Sequence, residues 1–101
     1  MTKEFAYVLG QMIPILQRTS GDVLVAGHTD DVPITGGQYG SNWGLSAARS
    51  TSVVHELLKS GDIPPERVTV QGFGESRPLV ANDTPENRAK NRRVEISILT
   101  D

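Results

Sequence analysis

Two short apolar runs, Val23-Leu24-Val25-Ala26 and the alternating Val68-Thr69-Val70-Gln71, flank one long helical stripe. This arrangement limits the folds open to the chain more than any other feature. Strands joined by a helical crossover are nearly always parallel and right-handed, so the spacing predicts a helix-on-sheet domain. The first run is continuous and bounded by Gly21 and Gly27, which suits a strand covered on both faces. The second alternates and stops at Gly72-Phe73-Gly74. Between them Asn42 is placed to cap a helix in which Leu45, Arg49, Val53 and Leu57 recur every four residues, with Ala48, Val54 and Leu58 beside them. Ser60-Gly61 ends it.

Further elements extend this unit. Phe5, Val8, Leu9, Met12, Ile13 and Leu16 recur at three- and four-residue steps, the period of a helix with one buried face. Pro14 lacks an amide donor and crowds the carbonyl of residue 10, so a kink eased by Gly10 is expected before Ser20-Gly21-Asp22 closes that helix. Val32 to Ser41, with Pro33, Gly36, Gly37 and Gly40, reads as a loop. Thr84-Pro85 has the form of a helix cap with proline at the first helical position, opening a short helix to about Asn91. Val94, Ile96 and Ile98 alternate with Glu95 and Ser97 in a last strand. Three strands make a thin sheet, and a strand preceding the first helix is expected to be missing.

With 101 residues, 37% of them hydrophobic, the chain has the size of one domain, residues 1–101, able to form a single core. Its formal net charge of −2 makes it neither a polycation nor a strongly acidic disordered chain. It has no cysteine, which excludes disulfides, thiolate zinc and thiol nucleophiles and leaves the compartment open.

Arg49 shares its four-residue stripe with apolar positions and therefore points toward the sheet side, where a charge needs a partner. It either snorkels to a structural carboxylate or solvent, or holds a ligand carboxylate in its guanidinium fork. Asp30 and Asp31 follow a strand at its carboxyl end, where open α/β sheets tend to bind ligands, although an Asp there also commonly caps a turn. Meeting across a strand–helix junction, Asp30 and Arg49 would complement a zwitterion. His28-x-Asp30 and His55 do not make a convergent ligand set, so no metal and no cofactor is expected. There is no Gly-x-Ser-x-Gly elbow and no phosphate loop, so catalysis lacks a candidate beyond Asp30 or Asp31 acting as a base. Arg88, Lys90, Arg92 and Arg93 form a basic cluster without interleaved aromatics, which reads as a solvated face and not a nucleic-acid site. Trp43 either stacks on a ligand or packs on the domain.

Gly27-His28-Thr29-Asp30, Asn42-x-x-Leu45-Ser46-x-x-Arg49-x-x-x-Val53-x-x-x-Leu57, Gly72-x-Gly74-Glu75-x-x-Pro78 and Asn91-Arg92-Arg93-Val94-Glu95 occur in this order. Together they resemble the OmpA-like peptidoglycan-binding domain across essentially the whole chain. The resemblance implies an α+β two-layer sandwich with helices on one face of a mixed sheet and a truncated first strand. It also implies non-catalytic binding of the diaminopimelate of the peptidoglycan stem peptide. Carried over, the ligand-binding residues fall on Asp30 and Arg49, with Thr29, Asn42, Leu45 and the pair Arg92 and Arg93 lining the same site. Either arginine of that pair is open as the one facing the ligand. Two positions depart from the pattern: Gly44 replaces an acidic residue, at a cost of up to about 1 kcal/mol to the helix start, and Ser50 replaces an alanine.

Within that family, the Asp31–Ser41 loop and the ending Glu86 to Ile96 look most like flagellar stator subunits of the MotB and PomB type. That likeness implies a periplasmic domain anchored in the bacterial inner membrane, a homodimer, and a MotA/PomA-like channel subunit met through an N-terminal part absent from this sequence. The alternatives are another OmpA-like wall tether, of an outer-membrane, lipoprotein or secretion-system kind, or a cell-wall hydrolase.

Overall fold

The structure, a computed structural model, describes residues 3–34, 37–61 and 63–99, with side chains described from Tyr7 onward except at residues 60 and 61. Helix α1 spans Lys3–Arg18, strand β1 Val23–His28, helix α2 Asn42–Gly61, strand β2 Val68–Gly72, helix α3 Pro85–Asn91 and strand β3 Arg93–Ile98. A single 3-10 turn, Pro65–Arg67, leads into β2. Among the described residues the sheet has three strands in the order β2-β1-β3. β1 pairs with β2 in parallel, as the crossover predicts, and with β3 in antiparallel. The result is the expected α+β arrangement of helices on a mixed sheet.

Strand alternation assigns the two sheet faces. Val23 and Val25 are fully buried on the helix side and sit opposite Ile98 and Ile96. With Leu9, Leu16, Val53, Val54, Leu57 and Ile63 they form the core. Each fully buried aliphatic side chain here contributes roughly 1.5–3 kcal/mol. Leu24 on the opposite face is only half-buried, between Thr69 and Ser97. Ala26 and His28, on the same face as Leu24, are buried, so β1 is covered on both faces over most of its length, as its continuous apolar run predicts.

The stripe on α1 is narrower than its period implies. Leu9 and Leu16 are buried and Ile13 packs against them, while Val8 is 52% exposed; the side chain of Phe5 lies outside the described residues. The helix runs through Pro14. Arg67 ties the end of α1 to the sheet, donating to the carbonyls of Leu16 and Gly21 at 2.8 Å each and to Thr19 Oγ1 at 3.1 Å.

On α2 the inward stripe is Ser46, Ser50, Val53 and Leu57, not Leu45, Arg49, Val53 and Leu57. Gly27 explains the rotation. A Cβ there would lie 2.2 Å from the Ser46 carbonyl oxygen and 2.5 Å from Ser50 Oγ, so helix and strand backbones touch and only small residues fit between them. Ser50 uses its hydroxyl in this tight seam, donating to the Gln71 carbonyl at 2.9 Å.

Candidate functional site

At the carboxyl end of β1 the chain turns outward through Thr29 and Asp30, both buried. The Thr29 amide donates to the Gly74 carbonyl at 2.8 Å, and its hydroxyl to the Asp30 carbonyl at 2.8 Å. The Asp30 carboxylate is occupied at both oxygens: Oδ1 accepts from the Val32 amide at 3.1 Å, and Oδ2 from Arg92 Nη1 at 2.7 Å. The turn-capping role usual for Asp in such a loop and an ion pair thus coexist in one side chain.

Asn42 begins α2, but the cap lies one residue earlier. Ser41 Oγ accepts from the Gly44 amide at 3.2 Å, and the Ser41 carbonyl from the Leu45 amide at 3.0 Å. Released from capping, the Asn42 amide donates to the carbonyls of Asp30 at 3.4 Å and Val32 at 3.1 Å. It clamps the outgoing loop to the helix.

Residues 42, 45 and 49 share one flank of a helix with 3.6 residues per turn. Ala47, on the other flank, packs against Gly72 of β2, so the flank carrying Leu45 and Arg49 is turned toward β3. Both residues are half-buried. Arg49 forms no ion pair or hydrogen bond among the described residues. The direct partner of Asp30 is thus Arg92, 62 positions away, and Arg49 presents a half-buried guanidinium that no described residue compensates. Desolvated cations without a partner are costly and characteristic of ligand sites.

The structure separates the two arginines that the sequence left equivalent. Arg92 caps α3 and reaches Asp30, with 44% of its side chain exposed. Arg93, the first residue of β3, is on the opposite side, bonded to Glu95 Oε2 at 2.8 Å and to the Arg77 carbonyl at 3.1 Å. There the His28 ring stacks on Phe73 with 5.2 Å between centroids, and Arg77 covers the other ring at 4.1 Å. His28 Nε2 lies 3.4 Å from Glu95 Oε1, and both ring nitrogens are buried without a hydrogen bond that meets ordinary geometry among the described residues. Burial, followed by the Arg93 guanidinium, holds the His28 imidazole below its ordinary value. The bond from Arg93 holds Glu95 below the usual carboxylate range.

The basic cluster is largely neutralised, since Arg88 lies 3.6 Å from Asp31, Arg92 pairs with Asp30 and Arg93 with Glu95. Little is left for a nucleic acid backbone. Among the described residues no three metal-ligating side chains converge. None of the described helices is long and apolar enough to cross a membrane.

Three supporting residues were given no role in the site from the sequence. Ser46 Oγ accepts from the Gly74 amide at 2.9 Å and so holds the loop that carries Thr29's partner. Ser50 seats the helix, as above. Asn91, fully buried, accepts from the amides of Leu79 and Val80 at 2.8 and 3.1 Å and donates to the Val80 carbonyl at 2.9 Å, pinning the loop that precedes Arg92. The available signal was two serines four apart beside a Gly-terminated strand, and an Asn too polar for an unpaired helix end.

With this geometry in hand, comparison with known proteins is informative. The model of the OmpA family matches residues 2–92. Motility protein B of Bacillus subtilis is 37% identical over 78 residues, 77% of this chain and 30% of that protein. The crystal structure of the C-terminal domain of Helicobacter pylori MotB is 30% identical and superposes with a TM-score of 0.89, covering all of this chain and 76% of the other. The cell wall anchor of the T6SS from Pseudomonas aeruginosa is 37% identical with a TM-score of 0.84, covering all of this chain and 70% of the other. The chain spans only 24–38% of the length of the first curated relatives it matches.

Proposed function

The chain belongs to the OmpA family, and from that premise we propose that it is a non-catalytic peptidoglycan-binding domain that grips the diaminopimelate of the stem peptide. The observation that carries this reading is the half-buried Arg49, without a partner among the described residues, on the same flank of α2 as Asn42, which clamps the Asp30 loop. In this reading one preset carboxylate, Asp30 with its partner Arg92, is joined at the site by the guanidinium of Arg49. A free amino-acid head group, with one ammonium and one carboxylate, complements them: Arg49 takes the carboxylate and Asp30 shares its Oδ2 between Arg92 and the ammonium. Asp30 is a poor general base, because the Val32 amide and Arg92 already occupy its oxygens.

The role of the whole protein is proposed on the same basis. A motility protein B and a MotB domain are among its relatives, which supports a periplasmic anchor fixing a flagellar stator to the wall, as a homodimer engaging a MotA/PomA-like channel subunit. Likeness to a type of cell wall anchor from a secretion system favours the second reading, a wall tether of another assembly.

The test is capture of the folded protein by insoluble, purified peptidoglycan, with Arg49→Ala and Asp30→Asn as variants. Both should be captured far less than wild type, with no soluble fragments released. Equal capture of folded Arg49→Ala sinks the proposed site, and fragment release abolished by Asp30→Asn would instead establish a hydrolase. Loss of motility with an intact wall-binding defect in the parent cell separates the stator from another tether.

A further inference from the structure

His28 is a buried titratable side chain that the proposed site leaves unused. It stands two residues before Asp30 with only 3% of its surface exposed, and neither ring nitrogen has a hydrogen bond of ordinary geometry among the described residues. A neutral imidazole so enclosed forgoes its bonds to water; an imidazolium there would forgo the solvation of a full charge as well. Its surroundings favour the neutral ring. On β3, Arg93 pairs with His28 in the strand register and donates to Glu95 Oε2 at 2.8 Å, so the one carboxylate near Nε2, 3.4 Å away, is already engaged. From the loop after β2, Phe73 stacks on the imidazole with 5.2 Å between centroids and 16° between planes, and the Arg77 guanidinium lies 4.1 Å from the Phe73 ring. Two guanidiniums and one carboxylate therefore face the ring, and burial with Arg93 outweighs Glu95.

The segment that covers His28 also fixes the turn carrying Asp30. The Phe73 amide donates to the Gly27 carbonyl at 2.9 Å, the Gly74 carbonyl accepts from the Thr29 amide at 2.8 Å, and the Gly74 amide donates to Ser46 Oγ at 2.9 Å. Gly72-Phe73-Gly74 thus shields the imidazole with its one side chain and holds the backbone beside Asp30 with its main chain. We propose that His28 is an acid-sensitive latch on this segment: a protonated imidazole draws water, Phe73 lifts off it, and the Thr29–Asp30 turn loses its anchor. The effect on binding rests on the peptidoglycan reading above and adds regulation to that site, whereas the movement of the segment does not depend on it. The direction follows from linkage. A ring uncovered by the lifted segment titrates near its ordinary 6.5 and the covered ring lower, so each pH unit below 6.5 favours the open form by up to about tenfold until the covered ring titrates too. Glu95, held below its ordinary 4.5, keeps its charge through the upper part of that range.

The single tryptophan of the chain is a probe that needs no ligand. A Cβ built on Gly74 would stand 3.4 Å from Trp43 Cδ2, so the emission of Trp43 senses displacement of the segment. Titrated from about pH 7.5 to about pH 5, at a temperature where far-ultraviolet circular dichroism shows the chain folded, the wild type should give a reversible emission change with its midpoint below 6.5. His28→Phe, which keeps a stacked ring without a titrating nitrogen, should abolish the change, as should His28→Leu. His55→Gln, which removes the other histidine, an exposed one, should leave it intact. Over the same range capture by insoluble peptidoglycan should fall about threefold or more for the wild type and stay level for His28→Phe, the two being equal at the upper pH. A flat wild-type emission, or a transition that survives in folded His28→Phe or His28→Leu, overturns the latch. Level wild-type capture beside a clear emission change overturns its effect on binding. An emission change lost in His28→Phe, with no capture at any pH, supports the latch and sinks the peptidoglycan reading instead.

Discussion

The two ends of the sheet are built on different principles. At the amino end of β1, Leu16, Val23, Leu57 and Ile63 are held by contact area alone, and fully buried aliphatics fill the space between α1, α2 and the strand. At its carboxyl end the buried residues are Thr29, Asp30, Asn42, Ser46, Ser50 and Asn91, and nearly every one spends its polar atoms on a loop carbonyl or amide. Apolar packing tolerates small shifts because it has no direction. Hydrogen bonds do not, and so the end that must hold a ligand in a set orientation is the end built from them.

Four changes would break or sharpen this contrast, and the largest belongs to the apolar end. Leu57→Ala removes a fully buried side chain and should lower stability by about 2–5 kcal/mol in chemical denaturation, while the molecules that remain folded capture peptidoglycan normally. Arg49→Ala should do the reverse. It leaves stability within about 0.5 kcal/mol but weakens peptidoglycan capture ten- to hundredfold, the loss of a charge-assisted contact of about 1.5–3 kcal/mol. Asn91→Ala mixes the two effects. Two amides and a carbonyl of the Leu79–Val80 segment lose their partner, so stability should fall by about 1–3 kcal/mol, and binding should weaken as Arg92 loses its support. Capture as strong as wild type by a folded Asn91→Ala would show that the polar end does not position Arg92.

The smallest effect is a pH dependence from the far side of the sheet. Because burial and Arg93 hold His28 below its ordinary value of 6.5, the unfolded chain takes up the proton first as pH falls. Stability is full above pH 6.5 and should decline below it. His28→Phe should abolish that decline, as followed by melting temperature. Glu95, held below its ordinary 4.5 by its bond from Arg93, adds a separate loss only at more acid pH. A decline that persists in His28→Phe would place the sensitive group elsewhere.

What could be read in advance followed from how local each feature is. The cap at Thr84 with Pro85 behind it was legible and is present, Thr84 Oγ1 accepting from the Asn87 amide at 3.0 Å. The end of α2 at Gly61 and the parallel β1–β2 pair were legible for the same reason. The inward face of α2 was not. Counting apolar residues selected Leu45 and Arg49, whereas the glycine at position 27 brings the backbones so close that Ser46 and Ser50 take those places. Gly44 looked like a loss and proves to fit against the Tyr39 carbonyl, and the departure at Ser50 supplies a bond to the Gln71 carbonyl.

By itself, then, the sequence determined the helices and strands, their order, the parallel crossover and the set of charged residues gathered at one end. These depend on periodicity, turn residues and caps, which act over a few positions. Tertiary structure alone decided which arginine meets Asp30, since Arg92 and Arg93 are adjacent and chain reversal into β3 sends them to opposite sides. It also decided that Arg49 stands without a partner among the described residues. A charge pair across 62 positions depends on strand register and helix rotation, and those are settled by backbone approach distances that no local pattern encodes.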